Sequence, residues 1–193
     1  MRTLLIAVVA LGFVLAIQGV ASAQTGKKIL VAYFSWSGNA KALAEQVAAE
    51  TGGDLFEIKT LRPYPDNYED CIDVAKKEQN NAARPELEKN VSGLDRYGTV
   101  FLAYPNWWGT LPMVVFTFLE SNDFSGKTIY PLVTHGGSRF GTSLNDLKRI
   151  CPTASVGEGL AVSAFDRNPG NSTVVSIPNA NVTKWLSGLK LDN

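Results

Sequence analysis

The chain has 193 residues, with 18 basic and 18 acidic side chains, one histidine and two cysteines. This length is typical of one domain with enough residues to bury a full core. Because positive charge is not in excess, the composition disfavours general nucleic-acid binding. A zinc site needs three or four ligands, and a lone histidine, His135, with two distant cysteines, Cys71 and Cys151, does not supply such a cluster.

The N-terminal segment, residues 1–23, has the pattern of a secretory signal peptide. Arg2 gives the positive start, Leu4–Ile17 is an almost unbroken apolar run, and Ala21–Ala23 matches the small-residue pattern that signal peptidase cleaves. An uncleaved membrane anchor is the alternative, but this run is short for the ~20 residues that span a bilayer. We therefore expect cleavage before Gln24, and an exported protein, periplasmic or secreted, with no stable membrane span.

Cleavage would leave residues 24–193 as the mature domain. Arg2 is the only charged residue removed, so the mature chain has 17 basic and 18 acidic side chains and a net charge of −1. Export also permits a disulfide bond. The sequence leaves two alternatives for Cys71 and Cys151, a disulfide or two free thiols.

Apolar segments of strand length alternate with helical patterns along the mature chain. The first, Ile29–Ser35, is continuously apolar and aromatic, as expected of a strand buried on both faces of a parallel sheet. The predicted strands are Ile29–Ser35, Leu55–Thr60, Thr99–Pro105, Thr128–His135 and one within Ala154–Ser163, and the predicted helices are 38–53, 67–79, 112–121 (with Pro112 in its first turn), 142–150 and 179–189. This order predicts a doubly wound α/β fold, a three-layer sandwich whose ligand lies beyond the C-terminal ends of the strands.

The segment after the first strand has the composition of a phosphate-binding loop. It contains Ser35, Ser37, Gly38, Asn39 and Ala40, and a helix follows. Hydroxyl groups, a glycine that permits close approach and the amides of a helix N-terminus together suit a phosphate monoester. The alternative is a capped helix without a ligand.

The segment after the third strand contains adjacent tryptophans. It reads Pro105, Asn106, Trp107, Trp108 and Gly109. Two adjacent tryptophans on a loop do not both face one core, so we expect at least one to be exposed and to have a planar partner. The alternative is that both cover the edge of the sheet.

The segment after the fourth strand is rich in glycine. It comprises Thr134, His135, Gly136, Gly137, Phe140 and Gly141. Its glycines are expected to present bare amides to the polar edge of a ring, and Phe140 to flank that ring. The alternatives are an ordinary turn and a structural histidine. A phosphate site, a flat ring between aromatic side chains and a polar ring edge together indicate flavin mononucleotide (FMN).

These motifs resemble those of the flavodoxin-like family, in particular its longer bacterial members with SxSGN, PxWWGTxPxxVFTFLES and THGGSxxG. The resemblance covers Lys28 to Leu189. It implies a five-stranded parallel sheet of order 2-1-3-4-5, non-covalent FMN, a phosphate loop after strand one and two ring-binding loops after strands three and four. Quinone reductases of the same fold share a Trp-aromatic-Gly pattern and a Gly-Gly loop.

One residue departs from the family pattern. Family phosphate loops usually end in threonine, where this chain has Ala40. A hydroxyl bonded to a charged phosphate contributes about 1.5–3 kcal/mol, which is roughly ten- to hundredfold in affinity. This departure leaves a second hypothesis open, a cofactor-free binding or partner module on the flavodoxin scaffold.

The leading hypothesis is an exported FMN protein that transfers electrons or reduces small quinone-like acceptors. The isoalloxazine ring is the reactive group, so the protein sets its potential and access. Acidic carriers are steered to their redox partners by charge, and a net charge of −1 gives little steering. The sequence therefore favours a reductase similar to the NAD(P)H:quinone reductases, with His135 as a candidate proton donor; it does not identify the acceptor or the redox partner.

Overall fold

The computed structural model describes residues 27–164 and 179–191. The predicted signal peptide and its cleavage site before Gln24 lie outside the described residues. Within the described ranges, no helix combines the length and the apolar character needed to cross a membrane.

Helices and strands alternate along the chain as expected. The elements are β1 (Lys28–Tyr33), α1 (Asn39–Thr51), β2 (Asp54–Glu57), α2 (Tyr68–Asn80), a 3-10 turn (Leu94–Arg96), β3 (Tyr97–Pro105), α3 (Met113–Glu120), β4 (Thr128–His135), α4 (Ser143–Ile150), β5 (Ser155–Val156), β6 (Leu160–Ser163) and α5 (Asn179–Ser187). Pro112 is the N-cap of α3 and not a residue of its first turn, so the helix begins one residue later than predicted.

The strands form one parallel sheet in the order β2-β1-β3-β4-β5, and β6 also pairs with β4. The predicted order 2-1-3-4-5 is therefore confirmed. The sequence predicted a single fifth strand. In the structure, β5 and β6 share the position beside β4. Ile129 pairs with Val156 and Leu132 with Leu160, so the outer segment contains one extra residue opposite β4.

Between β5 and β6 the chain passes close to neighbouring aromatic side chains. A Cβ atom at Gly157 would lie 2.3 Å from the Tyr130 ring. A Cβ atom at Gly159 would lie 2.7 Å from the Phe140 ring. Glycine at these two positions thus lets the chain pass closely over two aromatic side chains.

Two apolar clusters cover the two faces of the sheet. Successive residues of β1 enter opposite clusters, because side chains alternate along a strand. One, which we call the α3 cluster, joins the sheet to α3 and α4, and includes Leu30, Ala32, Leu102, Val114, Phe118 and Leu147. The other, which we call the α1 cluster, joins it to α1 and α5, and includes Val31, Tyr33, Phe101, Leu43, Val47 and Val182. The result is the predicted three-layer arrangement.

Both cysteines are free thiols in the structure, and both are buried. Cys71 lies on α2, whereas Cys151 caps the C-terminus of α4. Burial, together with the negative charge of Glu78, raises the pKa of Cys71 to about 12, and burial raises the pKa of Cys151 to about 11. Of the two alternatives, the structure favours neutral, unpaired thiols.

Candidate functional site

Three loops leave the C-terminal edge of the sheet from neighbouring strands. We call them the β1 loop (residues 34–38), the β3 loop (residues 106–112) and the β4 loop (residues 136–142). The strand pairing continues into two of them, because Phe34 N–H donates to Ala103 O at 2.9 Å and Asn106 N–H donates to Thr134 O at 2.8 Å. The topology therefore brings the predicted phosphate loop and both predicted ring loops to one edge.

The β1 loop turns tightly into α1. Gly38 has φ 92°, in the left-handed region that favours glycine, and its N–H donates to Ser35 Oγ at 3.1 Å. The first N–H groups of a helix have no partner within the helix and carry partial positive charge. The first turn of α1 contains no acidic side chain, and Ser37 is half-buried beside it. This end of α1 is therefore suited to an anion.

Asn39 and Ala40 are turned towards the protein. Asn39 is buried, and its Nδ2 donates to Ala164 O at 2.9 Å, just beyond β6. Its Oδ1 has no hydrogen-bond partner among the described residues. Ala40 is only 1% exposed and packs in the α1 cluster with Leu43. The position that departs from the family pattern thus contributes a methyl group to the core.

The two tryptophans of the β3 loop have different surroundings. Trp107 packs edge-on against Phe34 and Tyr64, with ring centroids 5.2 and 5.0 Å away. Trp108 is 48% exposed. The expectation that at least one of them is exposed is confirmed.

Trp108 is fixed against α2, a contact that sequence reasoning missed. Its Nε1 donates to Ile72 O at 3.1 Å, and its own carbonyl accepts from Gln79 Nε2 at 3.0 Å. Lys76 Nζ lies 4.8 Å from the centre of the indole and donates to Gln79 Oε1 at 3.0 Å. Trp108 has φ 50°, a left-handed conformation that costs roughly 1–3 kcal/mol in a non-glycine residue and persists only where its surroundings enforce it.

Tyr64, which packs edge-on against Trp107, also belongs to a hydrogen-bonded side-chain pair. Tyr64 Oη donates to Glu78 Oε2 at 2.7 Å, and both side chains are partly buried. Burial raises the pKa of Glu78, and the bond from Tyr64 opposes this rise only in part. The sequence offered no motif for this pair, because its members lie on a loop and on α2.

His135 is buried at the end of β4 and accepts a hydrogen bond within its own loop. Gly137 N–H donates to His135 Nδ1 at 2.9 Å, so that nitrogen carries no proton. Burial, helped by the nearby charge of Arg139, lowers the pKa of His135. The sequence had suggested that the glycine amides of this loop are bare. The amide of Gly137 is instead bonded to the histidine.

Elsewhere the β4 loop is exposed, and it contacts the protein through its backbone and the half-buried Phe140 ring. The carbonyl of Arg139, a residue with φ 52°, accepts from Asn106 Nδ2 at 2.8 Å. The Phe140 ring packs against the α3 cluster and the backbone of Gly159. A Cβ atom at Gly141 would lie 2.0 Å from Gly109 O, so glycine is required for this close approach.

The β3 and β4 loops are linked through α4. Thr110 Oγ1 and Thr142 Oγ1 donate to the same carboxylate oxygen, Asp146 Oδ2, at 2.7 and 3.0 Å. Thr142 N–H also donates to Gly109 O at 2.7 Å. We call Asp146, Thr110 and Thr142 the Asp146 cluster. Sequence reasoning did not identify it, since nothing in the local pattern distinguishes Asp146 from a solvated helix residue.

The family model for flavodoxin matches residues 28–169, most of the chain. The chain belongs to the flavodoxin family. The family and the fold expected from the sequence are both confirmed. No match was found among curated proteins.

Similar solved structures agree with that assignment. A Bacteroides eggerthii protein assigned as a flavoprotein is 32% identical, with a TM-score of 0.70, and the match covers 84% of this chain and 99% of that one. A similarly assigned Bacteroides uniformis protein is 30% identical, with a TM-score of 0.71 and the same coverage. A Lactobacillus acidophilus flavoprotein in complex with FMN is 20% identical, covers 83% of this chain and 99% of its own, and has a TM-score of 0.64, which supports the flavodoxin fold alone.

Proposed function

We propose that this protein is an exported, FMN-binding redox protein that transfers electrons or reduces small quinone-like acceptors. The observation that supports this most strongly is the meeting of the β1, β3 and β4 loops at one sheet edge in a chain of the flavodoxin family. Ligands of open α/β sheets bind at this edge. FMN requires both an anion site and a place for a flat ring, and this edge provides residues for each.

The β1 loop fits the phosphate group. Ser35 and Ser37 supply hydroxyls, Gly38 lets the backbone turn closely, and the amides at the start of α1 supply donors. The absence of acidic residues from the first turn of α1 avoids repulsion of an anion. Alanine at position 40 lacks the hydroxyl that the family threonine would supply, but the donors of Ser35, Ser37 and the helix amides remain.

The β3 and β4 loops fit the ring. Trp108 offers a half-exposed aromatic surface held by α2. A Cβ atom at Gly109 or Gly137 would meet nothing within 4 Å, so the backbone borders open space at both loops. These residues would hold the ring, with Trp107 and Phe140 packed behind the loops in the protein.

FMN, when bound, exchanges one or two electrons with its partners. The residues of this chain orient it, restrict access and adjust the charge around it. His135 carries its proton on Nε2 when neutral, because Nδ1 accepts from Gly137. The lowered pKa of His135 makes it a hydrogen-bond donor rather than a source of a net proton at neutral pH.

Two features favour an exported reductase. The signal-like pattern of residues 1–23 supports export, and sequencing the N-terminus of protein recovered from the periplasm or medium should find Gln24 first. The near-zero mature charge supports a small acceptor over a charge-steered protein partner. A cofactor-free module remains the second candidate, favoured only by the missing hydroxyl at Ala40.

The function is tested by titrating the mature protein with FMN and, in parallel, with riboflavin. We expect one equivalent of FMN to bind with a shift of its visible spectrum. Riboflavin should bind at least tenfold more weakly, since the β1 loop would contribute charge-assisted bonds only to a phosphate. A protein that binds neither flavin would refute the proposal, and equal affinities would refute the assignment of the phosphate loop.

A further inference from the structure

We propose that Asp146 is a positioning residue that holds the β3 and β4 loops in the arrangement that binds the cofactor. This inference rests on the proposed function, because it concerns affinity for FMN. Asp146 lies on α4, outside the loops themselves, and its Oδ2 accepts from Thr110 of one loop and Thr142 of the other. One carboxylate thereby joins the two loops to which we assign the ring.

The cluster is continuous with the residues that would border the ring. Trp107 and Thr110 exchange two backbone hydrogen bonds, of 3.0 and 3.1 Å, which enclose Trp108 and Gly109 in a tight turn. Thr142 N–H donates to the carbonyl of Gly109 in that turn. Displacement of Thr110 or Thr142 would therefore move Trp108 and Gly109 directly.

The helix that carries Asp146 is firmly anchored. Ser143, at its first turn, is fully buried, and its Oγ bonds to Tyr104 Oη at 2.9 Å and to Phe140 O at 2.6 Å. Leu147, the residue after Asp146, is fully buried in the α3 cluster. Loops depend on such supporting contacts for a binding geometry, because their own backbones have few.

The carboxylate stays ionised in this setting. Burial acts to raise its pKa, but the bonds from Thr110, Arg149 and Thr142 outweigh that effect and lower the pKa of Asp146. Arg149 donates to the other oxygen, Oδ1, at 3.0 Å. Asp146 therefore accepts two hydroxyl bonds on one oxygen and a charged bond on the other, which a neutral amide does not reproduce.

The test compares Asp146→Asn with a matched control, Asp54→Asn. Asp54 Oδ2 likewise accepts a hydroxyl bond, from Tyr97 at 2.8 Å, and a bond from Lys28 at 3.4 Å. It lies at the opposite end of the sheet, because Asp54, Tyr97 and Lys28 each begin a strand. The two variants make the same chemical change, and Asp54, the more exposed of the two carboxylates, lies at the end of the sheet away from the cofactor loops.

Two readouts are required, and the first needs no FMN. In cofactor-free protein, Asp146→Asn should speed hydrogen exchange at the Thr142 and Gly109 amides at least tenfold, and Asp54→Asn should leave both rates unchanged. In the FMN titration, Asp146→Asn should weaken binding about tenfold, as expected for loss of a charged hydrogen bond. Thr110→Val, which keeps the carboxylate and removes one hydroxyl, should act in the same direction and should not add fully to Asp146→Asn.

The outcomes separate this inference from the function on which it rests. Unchanged exchange in Asp146→Asn, or faster exchange with unchanged FMN affinity, would overturn the positioning role while FMN binding by the wild type still stood. An equal loss of affinity in Asp54→Asn would overturn it as well, because the effect would then be general. A wild-type protein that binds no FMN would overturn the proposed function, and the positioning role with it, whatever the exchange rates.

Discussion

Gly137 N–H donates to Nδ1 of His135 across 2.9 Å, at the point where β4 enters its loop. This bond fixes the tautomer, because an accepting Nδ1 leaves Nε2 as the protonated nitrogen. It also opposes protonation of the ring, since an imidazolium would have to break it. Burial and the charge of Arg139 act in the same direction on the pKa of His135.

His135 should therefore titrate below its ordinary pKa of 6.5. It is the only histidine of the chain, so nitrogen NMR of untagged protein reports it without ambiguity. Because the folded state resists protonation, stability should fall as the pH is lowered through 6.5 and below. This dependence should be absent from His135→Gln. A titration midpoint above 6.5, or a protonated Nδ1 at neutral pH, would contradict the prediction.

The two tryptophans should respond differently to truncation. Trp107→Ala removes a ring packed on Phe34 and Tyr64, and should reduce the free energy of unfolding by about 2–3 kcal/mol. Trp108→Ala removes a half-exposed ring and should reduce it by less than about 1 kcal/mol. Denaturant unfolding of both variants measures the difference.

FMN affinity tests the assignment of Trp108 to the ligand surface. Trp108→Ala should weaken FMN binding about tenfold, whereas Trp108→Phe, which keeps an aromatic face, should weaken it less. If Trp108→Ala destabilised the fold as much as Trp107→Ala, the assignment of Trp108 to a ligand surface would fail. The same conclusion would follow from equal affinities of the alanine and phenylalanine variants.

Continuous apolar segments made the sheet predictable from sequence. Residues such as Val31 and Phe101 are buried because both faces of a parallel sheet are covered, and this requires only local composition. The strand order then placed the three loops together. The family motifs marked these loops, and an exposed tryptophan was expected there because adjacent tryptophans seldom share one core; the sequence did not tell Trp107 from Trp108.

The supports of the site were not predictable in the same way. Asp146 and Thr110 are 36 residues apart, as are Trp108 and Ile72, and neither pair has a local pattern. Such contacts depend on where α2 and α4 pack, which is settled by the whole fold. The hydrogen bond from Gly137 to His135 was missed for another reason. A Gly-Gly pair indicates backbone freedom, but it does not indicate to which acceptor the amides donate.

Ala40→Thr should leave FMN binding nearly unchanged. The Ala40 side chain is buried in the α1 cluster, so an added hydroxyl would first contact the core. We expect a change of less than about threefold in affinity and a loss of roughly 1 kcal/mol in stability from overpacking. Ala48→Thr, on the same helix and also buried, is the control for that loss. Recovery of binding from none in the wild type would instead support a decayed site and the cofactor-free alternative.

Tyr64→Phe should destabilise the protein in a pH-dependent manner. The change removes the donor to Glu78, a carboxylate whose pKa burial already raises above 4.5, and should raise that pKa further. A folded state that binds its proton more tightly than the unfolded state loses stability as the pH rises. The penalty should thus reach about 1 kcal/mol at pH 7, limited by partial solvation of the carboxylate, and shrink towards pH 4.5.

Denaturant unfolding at the two pH values measures this penalty, and Glu78→Gln supplies the control. In a Glu78→Gln background the effect of Tyr64→Phe should no longer depend on pH, because residue 78 has no proton to bind. A penalty that grows as the pH falls would reverse the sign expected from a raised pKa. It would show that Tyr64 stabilises the neutral form of the Glu78 carboxyl, and not the charged form to which it was assigned as donor.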